Sequence, residues 1–327
     1  MLAYIARRLI GMVVTLIVVS MIVFVIIQLP PGDFMTSLMA QMAEGGATAD
    51  EEAMQALRIQ YGLDKPIYVQ YWKWISGFVR GDFGYSFEWK RPVSELIGDR
   101  LGFTVLLSGL SMIFMWMVAI PIGIYSATHQ YSIGDHLLTF LGFLGLSLPD
   151  FLLGLVYLFV GAFVLDVSVG GLFSPEFEDA PWSLAKVWDL VNHLIWPVII
   201  LSAGGTAELI RIMRGNLLEV LGQQYVMTAR AKGLKERIVI NKYAVRMAIN
   251  PLISIMGLRL PRLINGATIL GIVLSLPTIG PIFLRALITQ DMYLAGSFLL
   301  FVSLMLMVGN LLADIALAWA DPRIRYE

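Results

Sequence analysis

The chain has 327 residues, 58% of them hydrophobic and 14% charged, and a mean hydropathy of +0.76. Soluble domains carry about 25% charged residues, so an ordinary soluble globular fold is excluded. A formal net charge of −1 hides strong local asymmetry, and the absence of cysteine rules out disulfide frameworks, thiolate metal sites and cysteine nucleophiles. The apolar runs are long and continuous, unlike barrel strands of about 10 alternating residues. An all-α polytopic membrane protein is expected, because helices satisfy their own backbone in lipid.

In chain order, Arg7-Arg8 precede Leu9–Leu29, a run without charge. At 1.5 Å per residue such a run crosses a hydrocarbon core of about 30 Å. The apolar core of a signal peptide would be about 7–15 residues and end in small residues. This run ends in Pro30-Pro31-Gly32-Asp33, so an uncleaved anchor is expected. Five further spans follow: Thr104–Thr128, Leu137–Leu165, Leu190–Ile210, Ala248–Leu274 and Leu294–Ala318. The fifth of the six is interrupted by Arg259 and Arg262.

Between the first two spans, Thr48-Ala49-Asp50-Glu51 reads as a capping box that starts a helix stopping at Gly62. Pro66 suits the first turn of a second helix. Ile67, Tyr71, Trp74, Ile75 and Phe78 then form one apolar stripe, with Trp72 alongside. The stripe is expected to lie on the membrane interface or to cap the bundle; contact with solute is the sharper alternative.

Lysine and arginine counts set the orientation. Segment 211–250 carries Arg211, Arg214, Arg230, Lys232, Lys235, Arg237, Lys242 and Arg246 against Glu219 and Glu236. Segment 166–193 carries only Lys186 against Asp166, Glu176, Glu178, Asp179 and Asp189. The first is expected in the cytoplasm and the second outside. Six spans then put both termini in the cytoplasm and 30–103 outside. The loop His129–His136 holds no lysine or arginine and adds nothing.

Several motifs suggest chemistry without the companions it needs. Asp82-Phe83-Gly84 spells a kinase triplet, but no glycine-rich phosphate loop accompanies it, so a turn is expected. Ser183-Leu184-Ala185-Lys186 matches a Ser-x-x-Lys nucleophile without its partner motifs. His129, His136 and His193 form no metal-binding pair, and no Walker phosphate loop occurs. If ATP drives this protein, another chain binds it.

The basic segment can be read as a solvated positive-inside loop; a nucleic-acid patch does not suit a short loop between spans. Its pattern favours something more specific. Thr228, Ala229 and Ala231 offer small helix-surface positions, and Gly233 permits a sharp turn. A second helical run reaches Asn250-Pro251. Helix, glycine turn, helix makes a compact knob that fits a groove on a partner.

These features together resemble the permeases of the dipeptide/oligopeptide class of bacterial ABC importers. The resemblance spans Tyr4-Ile5-Ala6-Arg7-Arg8-Leu9, Pro31-Gly32-Asp33, Leu57-Arg58 and Tyr61-Gly62-Leu63-Asp64-Lys65-Pro66. It continues through Gln70-Tyr71, Gly81-Asp82-Phe83-Gly84-Tyr85-Ser86, the basic loop and Asp321-Pro322-Arg323. Met227-Thr228-Ala229 stands where the general importer motif has Glu-Ala-Ala, Gly233 fits it, and Asn250-Pro251 replaces its Ile-x-Leu-Pro ending. That departure is common in the peptide class. The run Leu274–Pro281 resembles a branch that includes permeases for short peptides and peptide-like compounds.

The resemblance implies a multi-pass subunit of the bacterial plasma (inner) membrane, pairing with a second homologous permease and two ATPases and fed by an extracytoplasmic solute-binding protein. It implies no catalytic residue, metal or cofactor on this chain, with ATP and Mg held by the ATPases, and no nucleic-acid partner. Thr228, Ala229, Arg230, Ala231, Lys232, Gly233, Leu234, Lys235 and Glu236 become the expected coupling loop. The solute is a peptide or peptide-like compound; oligosaccharide, opine or nickel permeases are the alternative within the class. A membrane-embedded enzyme, a receptor or a passive channel are the rivals outside it. The expected organisation is a first span within 1–29, an extracytoplasmic helical insertion over 30–103, a permease core over 104–320 containing coupling loop 211–250, and a tail over 321–327.

Arg259 and Arg262 raise a separate question. Counted from Ala248, Arg259 lies about 16 Å deep, where arginine costs about 2.5–3.5 kcal/mol on insertion scales. Spacing of three puts both on one helical face, with Pro261 between them to loosen the backbone. They either line the translocation path and meet anionic groups of the solute, or form a buried pair with Glu208 or Asp150. A shifted span boundary would leave them at the interface.

Overall fold

The computed structural model describes residues 2–44, 55, 56, 58, 59, 62–164 and 169–320. Among them the regular structure is helical, with one isolated antiparallel bridge between Tyr85 and Pro92. Four helices are long and apolar enough to cross a membrane: Arg7–Gln28, Val93–Thr128, Leu184–Leu221 and Met292–Leu312. The capping box at 48–51 and the tail 321–327 lie outside the described residues. The chain divides into two compact units, Met1–Gly102 with Thr278–Met307 and Phe103–Pro277 with Val308–Glu327.

The first unit begins with α1 (Leu2–Gln28). Sequence reading took Pro31-Gly32-Asp33 only as the end of a span, but Asp33 starts α2 (Phe34–Glu44). Its carboxylate accepts the Thr36 amide at 2.9 Å, satisfying one of the unpaired N–H groups of the first turn. Arg58 pairs with the same carboxylate at 2.9 Å. The predicted second helix is α3 (Ile67–Val79), led in by Pro66. Its stripe is packed rather than laid on an interface. Tyr71 and Trp74 stand 5.3 Å and 5.9 Å from the Phe24 ring of α1, and Tyr71 shares a 2.8 Å hydrogen bond with Ser20. Trp74 is fully buried against Gly296, where a Cβ would come 2.8 Å from the ring. Ile67 and Trp72 remain exposed.

Two further helices belong to this unit, α12 (Ile279–Ile288) and, as far as Met307, α13 (Met292–Ala320). The first lies between the fifth and sixth expected spans, and Pro281 falls in its opening turn, where a missing N–H is harmless. Asp291, fully buried, joins the insertion to the start of α13. It accepts from Ser86 Oγ at 2.5 Å, the Glu88 amide at 3.2 Å and the Leu294 amide at 3.3 Å. Burial pushes its carboxyl up while these donors pull it back. Arg285 reaches Glu88 at 2.8 Å beside it.

Helix α4 (Val93–Thr128) begins eleven residues before the expected span; from Phe103 on it belongs to the second unit, to whose core it supplies Leu107, Met115 and Ala119. The expected single span Leu137–Leu165 is two helices, α5 (Ile133–Ser147) and α6 (Asp150–Phe159), bent by 97° and extended by a π-helical turn at Val160–Val164. The cause is local. Leu148, before Pro149, takes the extended conformation (φ −101, ψ 125) that a following proline imposes. The fourth span is longer than expected. Helix α7 (Leu184–Leu221) has 38 residues, about 57 Å at 1.5 Å per residue, and so outruns the hydrocarbon.

The basic segment comprises α8 (Gln224–Ala231), α9 (Glu236–Ile238), a π-helical turn Val239–Ala244, and α10 (Val245–Ala248). Then α11 (Asn250–Val273) runs through position 261 without a break, Pro251 occupying its first turn. Its shorter apolar stretch is Arg262–Val273. Helices α5 and α7 form the most extensive pairing of the unit, and α11 packs on both α6 and α7.

Candidate functional site

The knob at 224–248 is built on a helix end. Gly233, at φ +74, closes α8 with the Leu234 amide bonded to Ala229 O and the Gly233 amide to Arg230 O, at 3.4 Å and 2.9 Å. This is a Schellman cap, which needs the left-handed conformation that glycine adopts without penalty. A Cβ at Gly233 would touch nothing within 4 Å, so the requirement is conformational and not steric. Across the turn, Arg230 Nη2 holds Glu236 Oε1 at 2.7 Å with Nε at 3.2 Å from both oxygens. The Arg230 guanidinium keeps the Glu236 carboxyl below its ordinary range.

The two faces of the knob differ. Val226, Ala229, Val239, Ala244 and Ala248 are buried in the core of the second unit. Thr228, Arg230, Ala231, Lys232, Lys235 and Glu236 are exposed, with Leu234 half-buried. Ala229 therefore corrects the expectation of a small surface position: it faces inward, under the cap. Asn216 of α7 ties the far end down by donating to Ala248 O at 3.3 Å.

Sequence reading missed a second anchor here. Asp135, buried at the start of α5, takes Arg214 Nε and Nη2 at 3.2 Å and 3.0 Å and the Tyr131 amide at 3.0 Å. The only hint was Ser132 three residues ahead, whose hydroxyl accepts the Asp135 amide at 3.1 Å.

The two arginines of α11 separate. Arg259 is buried and its Nη2 meets Glu208 Oε1 of α7 at 2.5 Å. Arg262 keeps 73% of its side chain exposed, with Nη1 4.0 Å from the other Glu208 oxygen. Spacing of three did not guarantee one environment. Asp150 makes no ion pair among the described residues. Its Oδ2 lies 3.2 Å from where a Cβ on Gly266 would sit.

The remaining motifs have structural explanations. Ser183 caps α7 by accepting the Lys186 amide at 3.2 Å. Lys186 Nζ is buried on Ala180 O and Glu178 O, at 2.6 Å and 3.2 Å, and over the Phe173 ring at 4.8 Å. Asp82 turns the chain by accepting the Gly84 amide at 3.0 Å. His129 stacks on Tyr125, and His193 contacts Asp189 O at 2.9 Å.

Two family models together cover nearly all of the chain. Residues 1–108 match the N-terminal region of binding-protein-dependent transport system membrane components, and residues 119–326 match the binding-protein-dependent transport system inner membrane component. The oligopeptide transport system permease protein AppB of Bacillus subtilis is 38% identical over the full length of both chains. The glutathione transport system permease protein GsiC of Escherichia coli is 33% identical, also over full length. Among solved structures, an inward-facing form of the MetNI methionine ABC transporter matches with a TM-score of 0.50 at 15% identity, covering 69% of this chain and 96% of that one. This last likeness bears on the fold. The chain thus belongs to the family of binding-protein-dependent transport system inner membrane components, as a permease subunit of an ABC importer in the bacterial inner membrane rather than an enzyme.

Proposed function

We propose that this chain forms half of a translocation path for a peptide or peptide-like solute, pairing with a second homologous permease and two ATPases. The knob around Gly233 is the coupling element. Closure of the ATPases on ATP moves it and rocks the bundle between inward- and outward-open states; each ligand shifts that equilibrium by binding one state better. The observation carrying this reading is the knob's two-faced construction. Its inner face is fixed in the core, its turn is held by a Schellman cap and an ion pair, and its outer face presents Arg230, Lys232 and Lys235. A rigid handle transmits motion, and the basic outer face suits an acidic rim on a partner. The peptide assignment is supported by the oligopeptide and glutathione permeases among its relatives.

The same reading puts 211–250 and both termini in the cytoplasm and 30–103 outside. Single cysteines at Arg80, Glu178 and Lys235, all exposed, enter a chain that has none of its own. In intact cells an impermeant thiol reagent should label the first two and spare the third; the opposite pattern reverses the orientation. Lys186 is unsuitable as a probe because it is buried. For function, the purified permease pair with its ATPases and binding protein is placed in liposomes. ATP-dependent uptake of short peptides is expected, and uptake of nickel or an oligosaccharide in their place would move the protein to another branch of the class.

A further inference from the structure

We propose that Arg262 and Asp150 form a two-ended site that holds a di- or tripeptide by its free termini, carboxylate at Arg262 and ammonium at Asp150. This rests on the reading of the chain as a peptide permease.

The argument starts from a charge imbalance. Two guanidinium groups share one carboxylate at Glu208, and the nearer, Arg259 at 2.5 Å, takes most of it. Arg262, at 4.0 Å, is left with uncompensated positive charge and a side chain 73% exposed. Arg262 opens the apolar stretch Arg262–Val273, and an arginine head there is disfavoured against hydrocarbon, so it faces protein or water. Arg259 and Glu208 then act as the positioning pair that keeps Arg262 from being fully neutralised.

Asp150 is the complementary case. It is partly buried at the break between α5 and α6, and no hydrogen-bonding or charged group acts on it among the described residues. Its carboxylate lies against α11 at Gly266, where a Cβ would stand 3.2 Å from Oδ2. Gly266 is four residues beyond Arg262, hence on the same face of α11 and about 6 Å further along its axis. Helical side chains lean toward the N-terminus, so Arg262 points away from Gly266 and the two charges are spread further. That spread suits an extended chain of two or three residues at about 3.3–3.6 Å each. A free short peptide carries the opposite charge at each end. A capped solute would leave one charge of the site unpaired, and a much longer one could not place both ends.

The test measures ATP-driven uptake by the complete reconstituted transporter for a tripeptide, its C-terminal amide and its N-acetyl derivative, at saturating binding protein. Because the binding protein is the same throughout, a change in the ratio between peptides belongs to this chain. Arg262→Gln is expected to lower uptake of the free peptide about tenfold or more, as when a desolvated charge loses its partner, and to leave the amide nearly unchanged. Asp150→Asn should do the same for the free and N-acetyl pair. Arg262→Lys should retain most uptake of the free peptide; this alone decides the case if wild type moves no capped peptide. Wild-type uptake by Arg262→Gln overturns the proposal, as does equal loss for free and capped peptides. Failure of the glutamine variant to co-purify with the second permease, where the lysine variant succeeds, makes Arg262 an interface residue and also overturns it. If the wild-type complex hydrolyses ATP yet takes up no peptide, the underlying peptide reading fails instead.

Discussion

Two arginine–glutamate pairs in this protein close to similar distances in very different surroundings. Arg230–Glu236 closes at 2.7 Å on the outside of the knob, with side chains 42% and 55% exposed. Arg259–Glu208 closes at 2.5 Å inside the helical bundle, with side chains 9% and 30% exposed. The first is screened by water and salt and stabilises little; the Schellman cap does most of the work of holding its turn. The second cannot lose one partner without stranding a charge. Short contact distance says little about importance; the dielectric around the pair decides it.

The sharpest way to break that contrast is Glu208→Gln. It leaves Arg259 buried without a counter-charge and should destabilise the protein by about 3–5 kcal/mol, the range for breaking a buried pair from one side. Pairing it with Arg259→Met should recover most of the loss, since the stranded buried charge is then gone. Melting of the detergent-purified complex measures both. A single variant as stable as wild type would mean that the pair is hydrated in the working protein, and the comparison above would collapse.

Next in size are changes under the knob. Ala229→Leu forces a larger side chain into a core position that is 4% exposed, which typically costs about 1–3 kcal/mol. Gly233→Val meets no steric obstacle but must hold a β-branched residue in the left-handed region, at about 1–2 kcal/mol. Gly233→Asn should be milder, because asparagine visits that region more readily. These two sites are expected to differ in kind. Ala229→Leu should act mainly by lowering the melting temperature of the subunit, whereas Gly233→Val should lower it less and act mainly by reducing peptide transported per ATP hydrolysed. Equal effects on melting and on coupling at both positions would show that the turn is packing and nothing more.

The helical membrane class and the knob were legible in the sequence because both depend on local signals: apolar run length, lysine and arginine bias, and a glycine between helical stretches. What stayed hidden depended on a neighbour distant in sequence or on one peptide bond. Leu148-Pro149 breaks an apolar run that composition counts as one span. Ala229 is small for reasons of burial, which only the packing of α8 on the core reveals. Asp291 and Ser86 are separated by 205 residues in the chain, and nothing near either one announces the contact. Arg259 and Arg262 share a helical face in projection, yet Glu208 on another helix takes the first and leaves the second exposed. The insertion's stripe was found by its period, but period alone does not say whether a face meets lipid, solute or α1.

The smallest expected effect belongs to the exposed pair. Glu236→Gln removes a charge that Arg230 holds by hydrogen bonding, with water on every side. The folded-state pKa of Glu236 lies below its unfolded value. Its contribution is therefore fully present above that value, about 4.3, and is lost only as the pH falls through the lower folded value. At neutral pH the variant should melt at most slightly below the wild type, and that small difference should vanish in acid and shrink as salt screens the charges. Binding of the ATPase subunits is a different matter. Freed from Glu236, Arg230 adds one positive charge to the outer face, so the affinity should rise modestly at low salt and return to the wild-type value at high salt. A melting temperature lowered at neutral pH as much as by Glu208→Gln would show that the knob depends on this bridge, and that exposure does not separate the two pairs.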